Sequence, residues 1–487
     1  MRISEYIEQL NIYTSELSND SEVTRICINS KLVIPGAVFI AVKGSQVDGH
    51  AYIQQAIEAG AHTIVCEHVP SIVKLGINYV EVQNAAHTAG LMASMFFENP
   101  SSKLQLIGVT GTNGKTSTAT LLYNLFKKLG YTVGLISTVK NCIQDEVIPS
   151  THTTPDCIAL NELLGKMVAG GCTYCFMEVS SHAIHQHRIA GLVFKGGIFS
   201  NITHDHLDYH GTFKNYLDAK KKFFDELPKA SFALTNMDDK NGMVMVQNCN
   251  AKIKTYSLSS LSDFRAQILE NAFSGLVLKI DGEEVHTRLV GEFNAYNMLA
   301  VYATAILLEQ DKTQVLIALS SLEAVEGRFN YIVSDKDKIV GIVDYAHTPD
   351  ALEKVLETIN GSRTKDVKVI TIVGCGGDRD KTKRPVMGDV ASKMSQKIIL
   401  TSDNPRSESA VEIIKEMKSG IDAGRIKNVL SIVDRREAIR TACTIAERGD
   451  IILLAGKGHE TYQEINGVKH PFDDKQVLAE TFIELDR

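Results

Sequence analysis

Residues 104–117 read LQLIGVTGTNGKTS and bring an apolar segment, a glycine-rich turn and a lysine together in one short stretch. Leu104, Leu106, Ile107 and Val109 are typical of a short buried strand, and the pattern over residues 118–129 predicts a helix after the turn. In a strand, loop and helix of this kind, the loop N–H groups and the helix N-terminus face a phosphate chain, and Lys115 supplies a positive charge. The stretch therefore predicts a nucleotide-binding site.

The loop is a variant of the P-loop pattern. The strict G-x-x-x-x-G-K-[ST] spacing is not met, because Val109 stands five positions before Gly114 and the nearest glycine is Gly108. The hydroxyl of Thr116 is still placed to ligate Mg²⁺. A glycine turn that merely joins a strand to a helix is the alternative interpretation.

The whole chain has the composition of a globular protein. Its 487 residues predict about three domains, and 44% of them are hydrophobic. A net charge of -7 argues against general nucleic-acid binding, although a local basic pocket for an anionic substrate is compatible with it. We expect a cytoplasmic protein without a membrane span, because the first residues are charged and the sequence contains no run of eighteen apolar residues.

Cysteine usage fits a reducing compartment. The 9 cysteines are an odd number and are scattered along the chain, which does not indicate a disulfide framework. Cys172 and Cys175 form a single CxxC inside an apolar segment, so we expect them in the core.

Alternating strand and helix patterns divide the chain into predicted units. Residues 1–98 predict a small α/β domain, residues 99–330 a central P-loop-type domain with a mostly parallel sheet, and residues 331–487 a doubly wound α/β domain. Ligands of such sheets bind at the carboxyl ends of strands, where the sequence places several polar residues.

Glu178 and a histidine-rich segment follow two of the predicted strands. Glu178 is suited to holding Mg²⁺, or alternatively to capping the next helix. The segment 201–211, NITHDHLDYHG, contains His204, Asp205, His206, Asp208 and His210. Zinc or a solvated loop are alternatives there, but the zinc spacings are absent and the phosphate loop favours magnesium.

Two further basic features remain ambiguous from the residues alone. Lys220, Lys221 and Lys222 fall in a predicted helix, where a lysine run is usually a solvent-exposed face. Arg328 is either structural or, beside a nucleotide, able to neutralise a transferring phosphoryl group.

Taken in order, the segments GTNGKTS, EVSSH, DHLDYHG, DYAHTPDAL, GCGGDRDKTKRP, DNPR and GKGHE resemble the Mur ligase family over nearly the whole chain. These are ATP-dependent enzymes that build the peptide of bacterial peptidoglycan. The chain is most similar to the members that add the third residue to UDP-N-acetylmuramoyl-L-alanyl-D-glutamate. The resemblance implies that ATP phosphorylates the terminal carboxylate and that an amine displaces phosphate from the acyl phosphate to form an amide.

The resemblance also implies residue roles around ATP and Mg²⁺. Catalysis is expected of Lys115, Glu178, His206 and Lys220. The expected metal ligands are Thr116, Glu178, His206 and Lys220, the last as a carbamate, since an ammonium cannot ligate a cation. The residues expected around ATP are Gly111, Thr112, Asn113, Gly114, Lys115, Thr116, Ser117, Asn294, Asn297, Arg328, Asp344 and His347.

A second set is implied for the UDP-sugar dipeptide. Its members are Ile28, Ser30, Ser45, Gln46, Val47, Thr153, Thr154, Ser180, Gln186 and Arg188. Arg188 offers paired hydrogen bonds to a carboxylate, or else is an ordinary helix-surface charge. Asn29, Lys31 and His152 depart from the family pattern, in which Asp, Arg and Asn stand.

The third set concerns the amino acid that is added. The expected residues are Arg379, Asp403, Asn404, Pro405, Arg406, Gly456 and Glu460. The family associates DNPR with meso-diaminopimelate, whose distal carboxylate suits the fork of Arg406, which we expect to be buried. Glu460 is suited to the distal ammonium.

Rival functions are a Mur ligase that adds L-lysine, a folylpolyglutamate-type ligase, and a nucleotide-binding regulator or ATPase without ligase chemistry. The expected partners are small molecules alone, and the expected state is a monomer.

Overall fold

The computed structural model describes residues 1–12, 17–18, 20–44, 47–150 and 152–487. Ser45 and Gln46, both predicted to contact the UDP-sugar, lie outside the described residues. Within the described parts of the chain, no helix is long and apolar enough to cross a membrane.

The first sheet contains four parallel strands in the order β1-β2-β3-β4. Its strands and helices are α1 Ile3–Gln9, β1 Ile26–Cys27, β2 Val38–Ile40, α2 Ile53–Glu58, β3 Thr63–Cys66, β4 Asn78–Glu81 and α3 Ala85–Phe96. The strands are buried because both faces are covered by apolar clusters.

The second sheet contains eleven strands in the order β15-β14-β13-β12-β11-β10-β5-β9-β6-β7-β8. Its strands are β5 Gln105–Thr110, β6 Val133–Ile136, β7 Lys140–Ile143, β8 Glu146–Pro149, β9 Tyr174–Glu178, β10 Gly196–Phe199, β11 Phe232–Asn236, β12 Lys252–Ser257, β13 Phe264–Ala272, β14 Gly275–Ile280 and β15 Glu283–His286. The accompanying helices are α4 Lys115–Lys128, α5 Cys157–Ala169, α6 Ser181–His185, α7 Leu207–His210, α8 Phe213–Asp225, α9 Gly242–Met245, α10 Glu292–Leu307 and α11 Lys312–Ser320. The middle strands pair in parallel, and antiparallel pairs extend the sheet at both edges.

Strand β5 lies in the middle of this sheet and has both faces buried. Leu106 belongs to one apolar cluster, whereas Ile107 and Val109 belong to the cluster on the other face. A Cβ atom added to Gly108 would lie 2.6 Å from the ring of Phe223. This glycine is therefore needed for close packing inside the strand and is not part of the phosphate loop.

The third sheet contains six strands in the order β16-β17-β21-β18-β19-β20, parallel except for the edge strand β16. Its elements are β16 Asn330–Val333, β17 Val340–Asp344, α12 Pro349–Ser362, β18 Val369–Val373, α13 Lys383–Met394, β19 Lys397–Leu400, α14 Ala410–Ser419, β20 Val429–Ser431, α15 Arg435–Ile445 and β21 Ile451–Ala455, followed by the hairpin β22 Tyr462–Ile465 and β23 Val468–Pro471 and by α16 Asp474–Glu484.

These sheets confirm the predicted α/β fold with a mostly parallel central sheet and a doubly wound C-terminal sheet. Helix α4 begins at Lys115, three residues before the predicted start, because the left-handed Gly114 (φ 86°) turns the chain directly into the helix. All nine cysteines are free, and the predicted core positions Cys172 and Cys175 are buried.

Candidate active site

The phosphate loop between β5 and α4 is closely packed against two polar side chains. A Cβ atom on Gly111 would lie 2.0 Å from Ser200 Oγ, and one on Gly114 would lie 2.7 Å from Asn297 Oδ1. The hydroxyl of Ser200 donates to the Asn113 carbonyl at 2.6 Å. Only glycine fits at both turn positions, so the loop backbone is held in one conformation.

Two lysines converge on one carbonyl of this loop. Lys115 Nζ donates to Gly111 O at 2.9 Å and to Thr112 O at 2.8 Å, and Lys220 Nζ donates to the same Gly111 O at 2.7 Å. Burial, and then the nearby Lys115 charge, place the pKa of Lys220 well below its usual range. The lysine run is thus not a uniform solvent-exposed face, because Lys220 and Lys221 are buried while Lys222 is half-buried.

Glu178 is the last residue of β9 and is buried beside the loop. Its Oε1 accepts a hydrogen bond from the backbone N–H of Thr138 at 2.7 Å. Its Oε2 is buried and accepts no hydrogen bond from the described residues. A different residue caps the following helix α6, since the Ser180 side chain accepts from the N–H of Ala183. The alternative role of Glu178 as a helix cap is therefore wrong.

The histidine-rich segment lies against the same site. His206 is left-handed (φ 54°), and its Nε2 lies 3.4 Å from Asp205 Oδ2. Burial lowers the pKa of His206 although Asp205 opposes this shift, so the imidazole is neutral at pH 7 and keeps a lone pair. His204 extends toward the C-terminal α/β unit, where its Nε2 lies 3.3 Å from Asp380 Oδ2.

Arg328 bridges to the phosphate loop from the end of the central region. Its Nη2 donates to Thr116 Oγ1 at 3.0 Å, and its guanidinium lies 4.5 Å from the centre of the Tyr345 ring. Asp344 accepts a hydrogen bond from the N–H of Phe329 at 2.7 Å, and burial raises the pKa of Asp344 to about 6.

The remaining predicted nucleotide residues flank this arrangement. Asn297 donates to Asn294 Oδ1 at 3.1 Å and accepts from Thr118 Oγ1 at 3.3 Å. Ser117 is buried at the start of α4. His347 Nδ1 lies 2.8 Å from Tyr345 O, and burial lowers the pKa of His347 to about 4. The structure therefore brings the predicted nucleotide residues of the second and third sheets to one cleft.

Four of the residues predicted for the dipeptide form one hydrogen-bonded group. Arg188 donates through Nη1 to Thr154 O at 2.8 Å, and through Nε and Nη2 to Gln186 Oε1 at 3.1 and 2.7 Å. Ser180 N–H donates to Thr154 Oγ1 at 3.2 Å. Thr153 adjoins this group and accepts from Thr138 Oγ1 at 3.0 Å. Arg188 is part-buried, so its alternative as an ordinary helix-surface charge is wrong.

The predicted residues of the first sheet lie apart from that group. Ser30 donates to Gln55 Oε1 at 2.9 Å, Ile28 is half-buried and Val47 is exposed. Within the described residues, no hydrogen bond joins these three to the group around Arg188. Asn29, which replaces the family's Asp, accepts from the N–H of Lys31 at 3.0 Å and so shapes its own turn.

A charged pocket forms where the DNPR and GKGHE segments meet. Asn404 Nδ2 donates to Glu460 Oε2 at 2.8 Å, while Lys457 Nζ donates to Glu460 Oε2 at 3.1 Å and lies 3.7 Å from Asp403 Oδ1. Burial and the nearby Asp403 raise the pKa of Glu460. A Cβ atom on Gly456 would lie 2.7 Å from Asp403 Oδ2, so this glycine makes room for the carboxylate.

Arg406 differs from the expectation of a buried side chain. Its side chain is 22% exposed, its Nη1 donates to Gly377 O at 2.7 Å, and its Nε lies 3.5 Å from Glu464 Oε2. The preceding Pro405 is buried, whereas Arg379 is exposed and donates to its neighbour Asp378 O at 3.1 Å. Arg406 is thus held at the rim of the pocket because hairpin β22–β23 pairs with its backbone.

Two contributors were not predicted from the sequence. Asp350, at the start of α12, accepts from Asn113 Nδ2 of the phosphate loop at 2.7 Å. Lys457 is fully buried between Asp403 and Glu460. Both stand inside the quoted segments DYAHTPDAL and GKGHE, which is the signal that could have found them. Among the described residues, no group of three or more His, Cys, Asp or Glu side chains is arranged to hold a metal.

The chain is similar to known proteins over nearly its whole length. Family models match in series: "Mur ligase family, catalytic domain" over residues 22–97, "Mur ligase middle domain" over 109–305 and "Mur ligase, glutamate ligase domain" over 327–458.

Individual relatives match along their whole length. The UDP-N-acetylmuramoyl-L-alanyl-D-glutamate--2,6-diaminopimelate ligase of Cytophaga hutchinsonii is 55% identical over 99% of both chains. The ligase of the same name from Bacteroides thetaiotaomicron is 56% identical over 96% of this chain and 97% of its own. A solved structure of a ligase with that name has a TM-score of 0.69 at 31% identity, covering 98% of this chain and 100% of the other. The chain belongs to the Mur ligase family.

Proposed function

We propose that this chain is an ATP-dependent ligase that joins meso-2,6-diaminopimelate to UDP-N-acetylmuramoyl-L-alanyl-D-glutamate during synthesis of the peptidoglycan precursor. The observation that carries the proposal is that the phosphate loop contacts Arg328 through Thr116 and Asp350 through Asn113, so that residues of the C-terminal α/β unit adjoin the proposed nucleotide site. The substrates are those for which the full-length relatives are named.

ATP is proposed to bind along the phosphate loop. The loop N–H groups and the N-terminus of α4 present donors, and Lys115 and Arg328 add positive charge at the positions where phosphate oxygens would lie. Asn294, Asn297, Asp344 and His347 are proposed to surround the nucleotide. These groups would neutralise charge that develops on the transferring phosphoryl oxygens.

The residues beside the loop fit Mg²⁺. Glu178 Oε2 is a buried carboxylate oxygen without a hydrogen-bond partner among the described residues, and such an oxygen is stabilised by a cation. Glu178, Thr116 and His206 are proposed to hold Mg²⁺, which when bound would polarise phosphate oxygens.

Lys220 supports a fourth ligand in the form of a carbamate. Carbamylation requires a neutral amine, and burial beside Lys115 favours the neutral form of Lys220. The neutral amine nitrogen would bond to the carbon of CO₂ and release one proton, which converts the amine into a carboxylate-like anion. That anion would also attract the ammonium of Lys115, which shares the Gly111 carbonyl with Lys220.

Arg188 is proposed to orient the dipeptide by one of its carboxylates. Its three hydrogen bonds go to neutral oxygens of Gln186 and Thr154, and no described carboxylate forms an ion pair with it. A part-buried guanidinium that has no carboxylate within ion-pair distance among the described residues suits an anionic substrate. Thr153 and Ser180 line the same region.

The C-terminal pocket is proposed to hold the incoming amino acid. Asp403 and Glu460 both lie beside the buried ammonium of Lys457, which shows that carboxylate oxygens of this pocket can pair with an ammonium group and supports binding of the ammonium of the amino acid there. Arg406 at the rim is proposed to bind the distal carboxylate of diaminopimelate, with Arg379 nearby. The γ-phosphoryl group would pass to the dipeptide carboxylate, and the amine would then displace phosphate.

The cellular setting and the quaternary state are part of the proposal. A cytoplasmic location is supported by the nine free cysteines and by the nature of the nucleotide substrates. We further propose that the protein acts as a monomer, because the candidate site is assembled from the sheets of one chain.

The proposal is tested by incubating the purified protein with ATP, Mg²⁺, the UDP-linked dipeptide and either meso-diaminopimelate or L-lysine. We expect ADP release to depend on all components and mass spectrometry to detect the diaminopimelate tripeptide in preference to the lysine tripeptide. ATP hydrolysis that ignores the dipeptide and the amino acid would refute ligase function. Equal use of lysine would refute only the selectivity.

A further inference from the structure

Tyr209 lies next to the dipeptide group and is not used by the proposed mechanism. It is half-buried in α7, within the segment DHLDYHG. Its hydroxyl lies 3.0 Å from Gln186 Nε2 and 2.9 Å from His185 Nδ1, and its ring lies 4.2 Å from that of His182. The hydroxyl therefore connects α7 to the turn that carries Gln186 and Arg188.

The donors and acceptors of each group fix the direction of the hydrogen bonds that connect Tyr209, Gln186 and Arg188. Arg188 can only donate, so the two N–H groups that reach Gln186 must meet its amide oxygen. The amide NH₂ of Gln186 then points to Tyr209, whose oxygen accepts from it. If the amide rotated, its NH₂ would face the guanidinium N–H groups, where no acceptor is present.

At its other end, this series of hydrogen bonds reaches the backbone of Thr154 at the candidate dipeptide site. Arg188 Nη1 donates to Thr154 O at 2.8 Å, and Thr154 Oγ1 in turn donates to Glu178 O at 2.8 Å. The sequence of contacts thus runs from Tyr209 through Gln186 and Arg188 to the strand end that carries Glu178.

We propose that Tyr209 is a positioning residue for the nucleotide-dipeptide substrate: its hydroxyl holds the Gln186 amide so that the Arg188 guanidinium faces the substrate carboxylate. The inference rests on the proposed function. Tyr209 acts through Gln186 and makes no contact of its own with the reacting atoms.

The test compares Tyr209→Phe, which removes one hydroxyl and keeps the ring on His182, with wild-type protein. The substitution removes the contacts of the hydroxyl with both Gln186 and His185, and loss of the hydrogen bond to Gln186 predicts an increase of about three- to tenfold in the KM for the UDP-linked dipeptide and in its Kd by calorimetry. The kcat, the KM values for ATP and diaminopimelate, and Tm should stay near wild type. Tyr174→Phe is the matched control, because Tyr174 also accepts from a glutamine, Gln310 Nε2 at 3.3 Å, at the far end of β9.

A double-mutant cycle with Gln186→Met identifies the route of the effect. If Tyr209 acts through Gln186, adding Tyr209→Phe to Gln186→Met should weaken dipeptide binding little further. Additive losses, an unchanged dipeptide KM, or equal weakening for all substrates would overturn the inference. Wild-type protein that binds the dipeptide but forms no amide would overturn the proposed function alone, because the effect of Tyr209→Phe on binding is read without turnover.

Discussion

Replacing Arg406 with Met tests how the protein selects its amino acid. The substitution keeps an unbranched side chain of similar reach and removes the guanidinium. One N–H of Arg406 is used by the Gly377 carbonyl at 2.7 Å, which leaves the rest of the fork for a carboxylate of the substrate. L-lysine lacks this distal carboxylate, so the two amino acids should respond differently.

The size of the effect follows from the exposure of the side chain. A hydrogen bond to a charged group contributes about 1.5–3 kcal/mol. The Arg406 side chain is 22% exposed and its Nε lies 3.5 Å from Glu464, so solvent and a competing carboxylate weaken the interaction. We therefore take about 2–3 kcal/mol for the whole fork, which corresponds to about a 30- to 150-fold loss in kcat/KM.

The assay measures kcat/KM for meso-diaminopimelate and for L-lysine by ADP release, with product identity checked by mass spectrometry. We expect the loss for diaminopimelate alone, so that the preference over lysine falls by the same factor. Arg436→Met serves as the control, because Arg436 is an exposed arginine of α15 that pairs with Glu480 at 3.2 Å, away from the pocket. An equal loss for both amino acids would refute the reasoning, since Arg406 would then act only by fixing Gly377.

Three further predictions concern the metal site and the core. Glu178→Gln should lower kcat by about 10²-fold or more and raise the Mg²⁺ concentration needed, with Tm unchanged, because it removes the charge of a buried carboxylate; kinetics over a Mg²⁺ series checks this. Removal of CO₂ and bicarbonate should inactivate the enzyme reversibly, whereas the residual activity of Lys220→Met should not respond to bicarbonate. Asp474→Asn should lower the free energy of unfolding by about 3–5 kcal/mol, because the fully buried Arg435, which pairs with Asp474 at 2.7 Å, loses its counter-charge. As a control, Glu480→Gln at the exposed pair with Arg436 should lower it by less than about 1 kcal/mol. Denaturant titration measures both values.

Local sequence patterns predicted the parts of the fold that depend on neighbouring residues. The apolar run before the glycines gives the buried strand β5, and Glu178 ends strand β9 as the pattern indicated. The alternation of strands and helices indicated parallel sheets, and the structure confirms this class of fold. The division of the chain at 98 and 330 and the roles of individual site residues stay predictions.

Properties that depend on contacts between distant segments could not be predicted from residue patterns. Three consecutive lysines look alike in sequence, yet only Lys220 reaches the Gly111 carbonyl, because α8 packs that face against β5. The family motif selected this lysine where hydrophobic pattern could not. Arg406 was expected to be buried, but its exposure is set by hairpin β22–β23, which lies about sixty residues further along the chain.

The phosphate loop is stabilised by donors that nucleotide phosphates would compete for. Lys115 donates to two loop carbonyls, and Arg328 donates to Thr116, the hydroxyl proposed as a metal ligand. If a triphosphate binds along this loop as proposed, it would exchange these contacts for contacts to phosphate oxygens. Arg328 also stacks on Tyr345, which follows the end of β17. A movement of Arg328 would therefore change its contact with the C-terminal sheet, which carries the proposed amino-acid pocket. We therefore expect nucleotide binding and the geometry of the proposed amino-acid pocket to be coupled through Arg328.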